Sequence, residues 1–251
     1  MQEPALILLA LAAGHLIGDF LLQTGRDVEG KNAFEWPAFA RHAAMHYAGT
    51  LAALAGFAGL SPLSGAVQAA VLAIVVTHTA IDVGKSTLSR RLPGYRVLTF
   101  FLLDQAIHVA VFLLIGWTML LDRPPSDLLA IAAPPSSGVA ALFVTYAAVV
   151  VGGGQLIRVA LIPFTRALGD RDASEQLAFA GLYIGWLERF LVLTAILVGS
   201  YTSVGLIIAA KSIFRFPDLK DRPFAEYFLI GTLMSVALAV VGAMFFRIVI
   251  Y

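Results

Sequence analysis

The sequence contains no cysteine and few charged residues. Without cysteine, disulfides, thiolate metal sites and cysteine nucleophiles are all excluded. Charged residues make up 13% of the chain, about half the roughly 25% that is usual in soluble domains. A basic tail and stretches that interleave aromatic and basic residues are also missing, so no nucleic-acid partner is indicated. A chain with this few charges cannot cover its whole surface with groups that favour water.

Apolar residues dominate instead. They form 59% of the chain, and the mean hydropathy is +0.86. Nearly uncharged runs of about 20 residues, the length that crosses a bilayer, recur along the sequence. The N-terminus lacks the basic segment and the small-residue cleavage site of a signal peptide, so we expect it to remain as a first helix. The composition predicts an all-α, polytopic bundle of transmembrane helices in contact with membrane lipid.

The apolar runs and the Pro- and Gly-rich breakers between them predict about eight membrane spans. The predicted spans cover residues 4–22, 40–60, 66–84, 97–121, 138–157, 177–198, 200–215 and 225–249. This pattern predicts a four-helix half at 1–121, an extracytoplasmic Pro-rich loop at 122–137 and a C-terminal membrane half of about four helices at 138–251.

The basic residues predict the orientation. If eight spans alternate in direction, the loops 23–41, 85–96, 158–173 and 211–222 lie on one side of the membrane. These loops carry 14 of the 17 Lys and Arg residues. The positive-inside rule makes that side cytoplasmic, so both termini are expected to face outward.

The histidines follow one spacing, because each of the five has a His or an Asp four residues away. The pairs are His15 with Asp19, His42 with His46, His78 with Asp82, and Asp104 with His108. Residues four apart share one helix face, so each pair can supply half of a coordination shell. In the predicted topology all eight lie at one depth, in the cytoplasmic half of the bilayer.

For a single pair of this kind, helix packing or a buried ion pair is a better explanation than a metal site. Four pairs at one depth favour a metal site, because buried carboxylates need positive charge that neutral imidazoles do not supply. We therefore predict one or two divalent ions, with zinc favoured and iron or manganese as alternatives. All eight residues are predicted ligands, and Asp19, Asp82 and Asp104 are also candidates for catalysis.

Other polar residues at helix ends are candidates for substrate binding. They are Gln23, Lys85, Gln105, Lys211 and Arg215. Helix-end hydration explains the two glutamines equally well, and anchoring at the cytoplasmic interface explains the basic residues. Glu188 and Arg189 lie in mid-span and are each expected to pair with a neighbouring helix, with Glu226 and Tyr227 as candidate partners of Arg189.

The segments GHLIGDFLLQT at 14–24, HTAIDVGK at 78–85 and LLDQAIHV at 102–109 resemble a bacterial family of integral-membrane proteins. The family is catalogued only as a domain of unknown function, number thirty-three-oh-seven. Two further segments, at 181–201 and 207–216, are similar to the C-terminal portion of many members. The resemblance implies a multi-pass protein of the bacterial cytoplasmic (inner) membrane, and it implies no reaction.

Three functions remain open. The first is a metal-dependent hydrolase that acts on a lipid or another amphiphile, a phosphate or acyl ester, from the cytoplasmic side. The second is a divalent-metal transporter, although the ligands crowd near one leaflet and no internal repeat is visible. The third is an iron-dependent membrane oxidoreductase, because His and Asp ligands do not discriminate iron from zinc.

Overall fold

A computed structural model describes residues 3–89, 97–121, 137–168, 175–214, 216 and 220–250, and these ranges contain helices and no strand. The helices are α1 (Pro4–Leu16), α2 (Gly25–Ala33), α3 (Trp36–Ala58), α4 (Gly65–Ser89), α5 (Val97–Ile115), α6 (Gly138–Tyr146), α7 (Gly153–Leu168), α8 (Glu175–Leu197), α9 (Tyr201–Phe214) and α10 (Arg222–Ile250). Wider π-helical turns follow α1, α5 and α6 directly, at Ile17–Leu22, Gly116–Leu121 and Ala147–Gly152. The predicted all-α class is confirmed for these residues.

Five continuous helical stretches are long and apolar enough to cross a membrane. They are Pro4–Leu22, Gly65–Leu88, Val97–Leu121, Gly138–Thr165 and Arg222–Ile250. The other three predicted spans fall in α3, which carries Arg41, in α8, which carries Glu188 and Arg189, and in α9. With 14 residues, α9 is about 21 Å long, shorter than the roughly 30 Å hydrocarbon core. The chain therefore has the helices of a membrane protein, while the count of eight and the orientation stay predictions.

Several predicted boundaries are wrong. Residues 25–33, which belong to a predicted loop, form the helix α2, and α3 begins at Trp36 rather than at residue 40. A capping box starts α2, in which Thr24 and Asp27 satisfy each other's backbone N–H groups. The polar α2 has no apolar stripe of the kind from which spans are predicted. The helix α7 also continues past residue 157 to Leu168.

The chain divides into two compact units. The first comprises Met1–Ala147 with Val249–Tyr251, and the second comprises Ala148–Ile248. In the first unit α1 packs against α3, α5 and α6, and α4 packs against α3 and α5. Ile7, Leu11, Leu54, Val71 and Phe112 lie in its apolar core. The helix α6, which the sequence assigns to the C-terminal half, thus packs inside the first unit.

The helices α1 and α3 approach closely through glycines. A Cβ atom on Gly14 would lie 2.7 Å from the Cα of Thr50, and one on Gly49 would lie 3.0 Å from a methyl of Ile17. Small residues at such positions let two membrane helices come together. This approach sets the side chains that follow Gly14 on α1 directly against those of α3.

In the second unit, α8 packs against α7 and α9. Arg189 donates hydrogen bonds from Nε and Nη2 to the carbonyl oxygen of Val150, at 3.0 and 2.9 Å. Glu188 forms an ion pair with Lys211. Glu226, an expected partner of Arg189, instead pairs with Arg222. Both mid-helix residues thus have partners within this unit, although Oε1 of Glu188 is buried without a hydrogen-bond partner among the described residues.

Candidate metal centre

The four His/Asp pairs converge on one polar cluster inside the first unit. His15 lies at the end of α1 and Asp19 in the π-helical turn that follows, and the other pairs lie on α3, α4 and α5. The eight side chains are at most 11% exposed. They are His15, Asp19, His42, His46, His78, Asp82, Asp104 and His108. Because four separate elements deliver them, the cluster depends on the packing of the whole bundle.

The carboxylate of Asp19 lies at the centre of the cluster. Its Oδ1 atom is 2.7 Å from Nε2 of His46, 3.1 Å from Nε2 of His42 and 3.3 Å from Nε2 of His78. Its Oδ2 atom is 3.7 Å from Nε2 of His15. Four imidazoles therefore face a single carboxylate. The π-helical turn that carries Asp19 is a local distortion of the kind often found at functional sites.

A second carboxylate, that of Asp82, completes a group of four donor atoms. Its Oδ2 atom is 3.3 Å from Nε2 of His42 and 3.8 Å from Nε2 of His78. The two imidazole nitrogens are 3.0 Å apart. Together with Oδ1 of Asp19, these atoms come from three elements. The five separations that involve an imidazole nitrogen lie between 3.0 and 3.8 Å.

Hydrogen bonds leave this cluster incompletely satisfied. In the described part of the chain, Nδ1 of His42, Nδ1 of His46, Nε2 of His108 and Oδ1 of Asp104 are buried without a hydrogen-bond partner. Nδ1 of His108 lies 2.9 Å from the backbone oxygen of Asp104, to which it can only donate. In the neutral imidazole Nε2 then presents a lone pair, 4.0 Å from Oδ1 of Asp82. Two electron-rich atoms that face each other in this way suit a cation between them.

Two lysines enter the cluster. Nζ of Lys31, on α2, donates to Oδ2 of Asp82 at 2.7 Å and to Oε1 of Gln23 at 3.2 Å. Nζ of Lys85 donates to Oδ2 of Asp104 at 2.5 Å, and Nε2 of Gln105 donates to the same oxygen at 3.1 Å. Two of the three carboxylates thus have a lysine partner, which weakens the argument that a metal must supply all of the positive charge.

The remaining charge is small. Three carboxylates and two ammonium groups leave one negative charge on the described cluster when the imidazoles are neutral. Asp19 carries this charge, because its recorded partners are all histidines. One divalent ion changes the total to one positive charge, whereas two ions leave three. Since uncompensated buried charge is costly, the count favours one ion over two.

The predicted substrate-binding residues fall into two groups. Gln23, Lys85 and Gln105 adjoin the cluster, and Gln105 also lies 3.4 Å from Nε2 of His15. Lys211 lies in the second unit, where it pairs with Glu188. Arg215 lies outside the described residues. Sequence reasoning missed Lys31, and the available signal was the Thr24–Asp27 capping box that begins its helix.

The helix α2 is held over the cluster by a buried acid. Asp27 accepts hydrogen bonds from the Thr24 hydroxyl at 2.6 Å and from Nε of Arg41 at 2.9 Å. Burial opposes ionisation of Asp27, but these hydrogen bonds outweigh it and hold the pKa of its carboxyl below the ordinary value. This anchoring positions Lys31, which is one helical turn farther along.

A small cavity adjoins the histidines. Its volume is about 10 Å³, close to the smallest space that holds one water molecule. The polar part of its lining consists of His15, His46, Thr50, His78 and His108. Apolar side chains of the bundle core close the rest of the cavity. The space is therefore suited to one small polar molecule in contact with several ring nitrogens.

Gly18 is required for the position of His46. A Cβ atom on Gly18 would lie 2.5 Å from Nε2 of His46, so Gly18→Ala should displace this ring from Asp19. We expect a loss of stability of about 1–3 kcal/mol, as for other overpacked interiors. The measurement is thermal unfolding of the purified protein in detergent. Gly56→Ala on α3 is the matched control, because no atom beyond its chain neighbours and its own helix backbone lies within 4 Å of the added methyl. Equal melting temperatures for both variants would contradict this packing.

Comparison with protein-family models gives a match over about half of the chain. Residues 6–129 match the model of a family described as a protein of unknown function, DUF3307. This segment contains every residue of the cluster and both lysines. No curated protein and no solved structure matches the chain.

Proposed function

Residues 6–129 belong to the DUF3307 family, whose description names no reaction, and from the geometry of the cluster we propose that the chain is a metal-dependent membrane hydrolase. The observation that carries the proposal is the group of four donors from His42, His78, Asp19 and Asp82. Zinc bonds of 2.0–2.2 Å in a tetrahedron imply donor separations of about 3.3 Å. The five separations that involve an imidazole nitrogen lie between 3.0 and 3.8 Å, on both sides of this value.

The donor set supports a first-row divalent cation. Two imidazole nitrogens and two carboxylate oxygens are common ligands of zinc, and they also suit iron and manganese. The charge count favours a single ion. Asp104 and His108 then lie beside the ion, and Asp104 holds Lys85 and orients His108 through its backbone oxygen.

The surroundings of the four donors support hydrolysis. Catalytic zinc sites keep three protein ligands and a water in the fourth position. A zinc ion held by three of the four donors would lower the pKa of such a water to about 7 and would polarise the oxygen of an ester. His46 and His15 face both Asp19 and the small cavity, so either can accept a proton from a water held there. The cavity excludes bulk water, which strengthens electrostatic interactions with a reacting group.

An amphiphilic ester fits the exposed edge of the cluster, which we call the rim and which consists of Lys85, Gln23 and the adjoining Leu21 and Leu22. Lys85 is 42% exposed, and the apolar side chains of Leu21 and Leu22 are exposed close to Gln23. This combination suits a substrate with a polar headgroup and an apolar tail. In the predicted topology the rim faces the cytoplasmic side of a bacterial inner membrane, so the substrate enters from that leaflet.

Metal analysis and hydrolysis of the same sample test the proposal. The protein should purify with about one equivalent of a divalent metal, the number that the ligand set accommodates. Removal of the metal with a chelator should abolish hydrolysis of amphiphilic phosphate or acyl esters, and restoration of zinc should recover it. A sample treated with chelator already saturated with zinc controls for damage by the reagent. Full hydrolysis after metal removal would contradict the proposal.

One observation favours divalent-metal transport instead. The cavity is too small for an organic substrate. A cation without its shell of water molecules fits into a space of this size. Uptake of zinc or manganese into sealed proteoliposomes distinguishes the two functions, because a hydrolase catalyses no net flux. An iron-dependent oxidoreductase is distinguished by the metal itself, since iron would replace zinc as the bound ion.

A further inference from the structure

We propose that the substrate's reacting group is a phosphate, held by Lys31 and Lys85 beside the bound ion. This inference rests on the proposed metal site and selects one of the two ester classes that the site accommodates. The two lysines are positively charged ammonium groups and cannot coordinate a metal, so the metal site alone does not explain their presence.

The two ammonium groups flank one small region. Lys31 is bonded to Asp82, and Lys85 is bonded to Asp104. Asp82, Asp104 and His108 each offer a ligand atom that lies within 4.8 Å of the other two. The lysines therefore approach the same three side chains, Lys31 from α2 and Lys85 from α4. A ligand between them and the ion can contact both.

The two lysines differ in exposure, and this difference places them at different points on the path by which a substrate would reach the ion. The side chain of Lys31 is 11% exposed, and that of Lys85 is 42% exposed. Lys85 is thus accessible from the rim, and Lys31 lies at the inner end. Gln23 contacts Lys31, and Gln105 contacts the carboxylate that holds Lys85, so each lysine has an amide close by.

Charge favours a phosphate over an acyl ester. With one divalent ion the described cluster, including the partly exposed Lys85, has one excess positive charge, which attracts an anion. A phosphate ester carries this compensating charge, whereas an acyl ester is neutral. Phosphate oxygens also accept the charge-assisted hydrogen bonds that ammonium groups donate. The neutral carbonyl oxygen of an acyl ester forms weaker hydrogen bonds with the two ammonium groups.

Coordination of the ion would free Lys31 for this role. Oδ2 of Asp82 is at once the partner of Lys31 and a member of the four-donor group. When that oxygen binds a cation, its attraction for the ammonium group falls, and Lys31 becomes available to an incoming anion. Metal binding and phosphate binding should therefore be coupled, with the phosphate binding more tightly to the loaded protein.

The shared chemistry is a phosphate group, from a phospholipid or from a soluble ester. Inorganic phosphate is the probe for binding, measured by titration calorimetry on zinc-loaded protein. Phosphatidic acid in mixed micelles and p-nitrophenyl phosphate in water are the two arms that separate the sources. Hydrolysis of the first alone identifies a lipid headgroup, and hydrolysis of the second identifies a soluble ester. Both results support the inference.

Lysine variants test the assignment. Lys31→Gln and Lys85→Gln should each weaken phosphate binding about tenfold to hundredfold, the usual effect of losing a hydrogen bond to a charged group. Lys31→Arg keeps the charge and should restore most of the affinity. Arg26→Gln is the control, because it removes a positive charge from the exposed surface of the same helix.

The outcomes separate the two proposals. If the wild-type protein holds one equivalent of zinc but binds no phosphate, the inference fails and the metal site stands. Unchanged phosphate affinity in both glutamine variants also overturns it. If no divalent metal binds at all, the proposed function fails and the inference fails with it.

Discussion

Replacing Asp19 with asparagine should abolish tight metal binding and hydrolysis while the protein stays folded. Asp19 supplies one of the four donors, and its Oδ1 atom faces three imidazoles. Four ligands contribute about 10–16 kcal/mol in structural zinc sites, so the loss of one weakens binding at least about a hundredfold. The remaining pairs of Asp82 with Lys31 and of Asp104 with Lys85 leave the metal-free variant without net charge. Metal content and thermal unfolding are the measurements.

Asp104→Asn is the matched variant for this prediction. It removes a carboxylate from the same cluster but from outside the four-donor group, and its partner Lys85 is exposed enough to be solvated. We expect it to keep about one equivalent of metal, with a smaller effect on affinity than that of Asp19→Asn. Equal metal loss in both variants would show that the four-donor assignment is wrong. Equal retention would remove Asp19 from the ligand set.

The convergence of the cluster could be predicted from the sequence because two physical rules act together. Residues four apart share a helix face, and ionisable groups in a membrane helix avoid lipid. Four pairs such as His78 with Asp82 are therefore expected to face the interior, and in the structure they meet in one cluster. The family resemblance is also confirmed, over residues 6–129.

The counter-charges could not be predicted in the same way. Lys31 lies in a polar segment with no apolar periodicity, so nothing in its spacing indicates that α2 folds back over α4. From the sequence, Lys31 was predicted only to be one of the basic residues of the loop 23–41. The position of an ammonium group beside Asp82 depends on tertiary packing, and the number of ions that the cluster favours depends on that ammonium group.

The local backbone geometry could not be predicted from the sequence either. Asp19 reaches three imidazoles from a π-helical turn, and this turn lies against α3 where Gly18 leaves room for His46. Likewise, Arg189 is bonded to the carbonyl oxygen of Val150, which lies in another π-helical turn. Periodicity predicts a regular helix at both places, so the sequence indicates which residues are polar and leaves their partners open.

Cysteine labelling should give an all-or-none result for the orientation of the membrane domain. The chain has no cysteine, so Arg26→Cys and Leu63→Cys each introduce a single reactive thiol. Both positions are exposed, Arg26 on α2 and Leu63 between α3 and α4, where its side chain is 91% exposed. A membrane-impermeant maleimide added to intact cells should label Leu63→Cys and leave Arg26→Cys unlabelled. The reason is that Arg26 belongs to the four loops with 14 of the 17 Lys and Arg, which the positive-inside rule makes cytoplasmic.

Labelling after the membranes are permeabilised is the control, because both cysteines should then react. Protection of Arg26→Cys in intact cells would put the exposed rim at Lys85 on the cytoplasmic side, where anionic lipid headgroups and soluble phosphate esters are both present. The reverse pattern would invert the orientation, contradict entry of the substrate from the cytoplasm and leave the four metal donors unaffected. Since the donors and the lysines lie in the same bundle, inversion would change which compartment supplies the substrate and would leave the chemistry of the site unchanged.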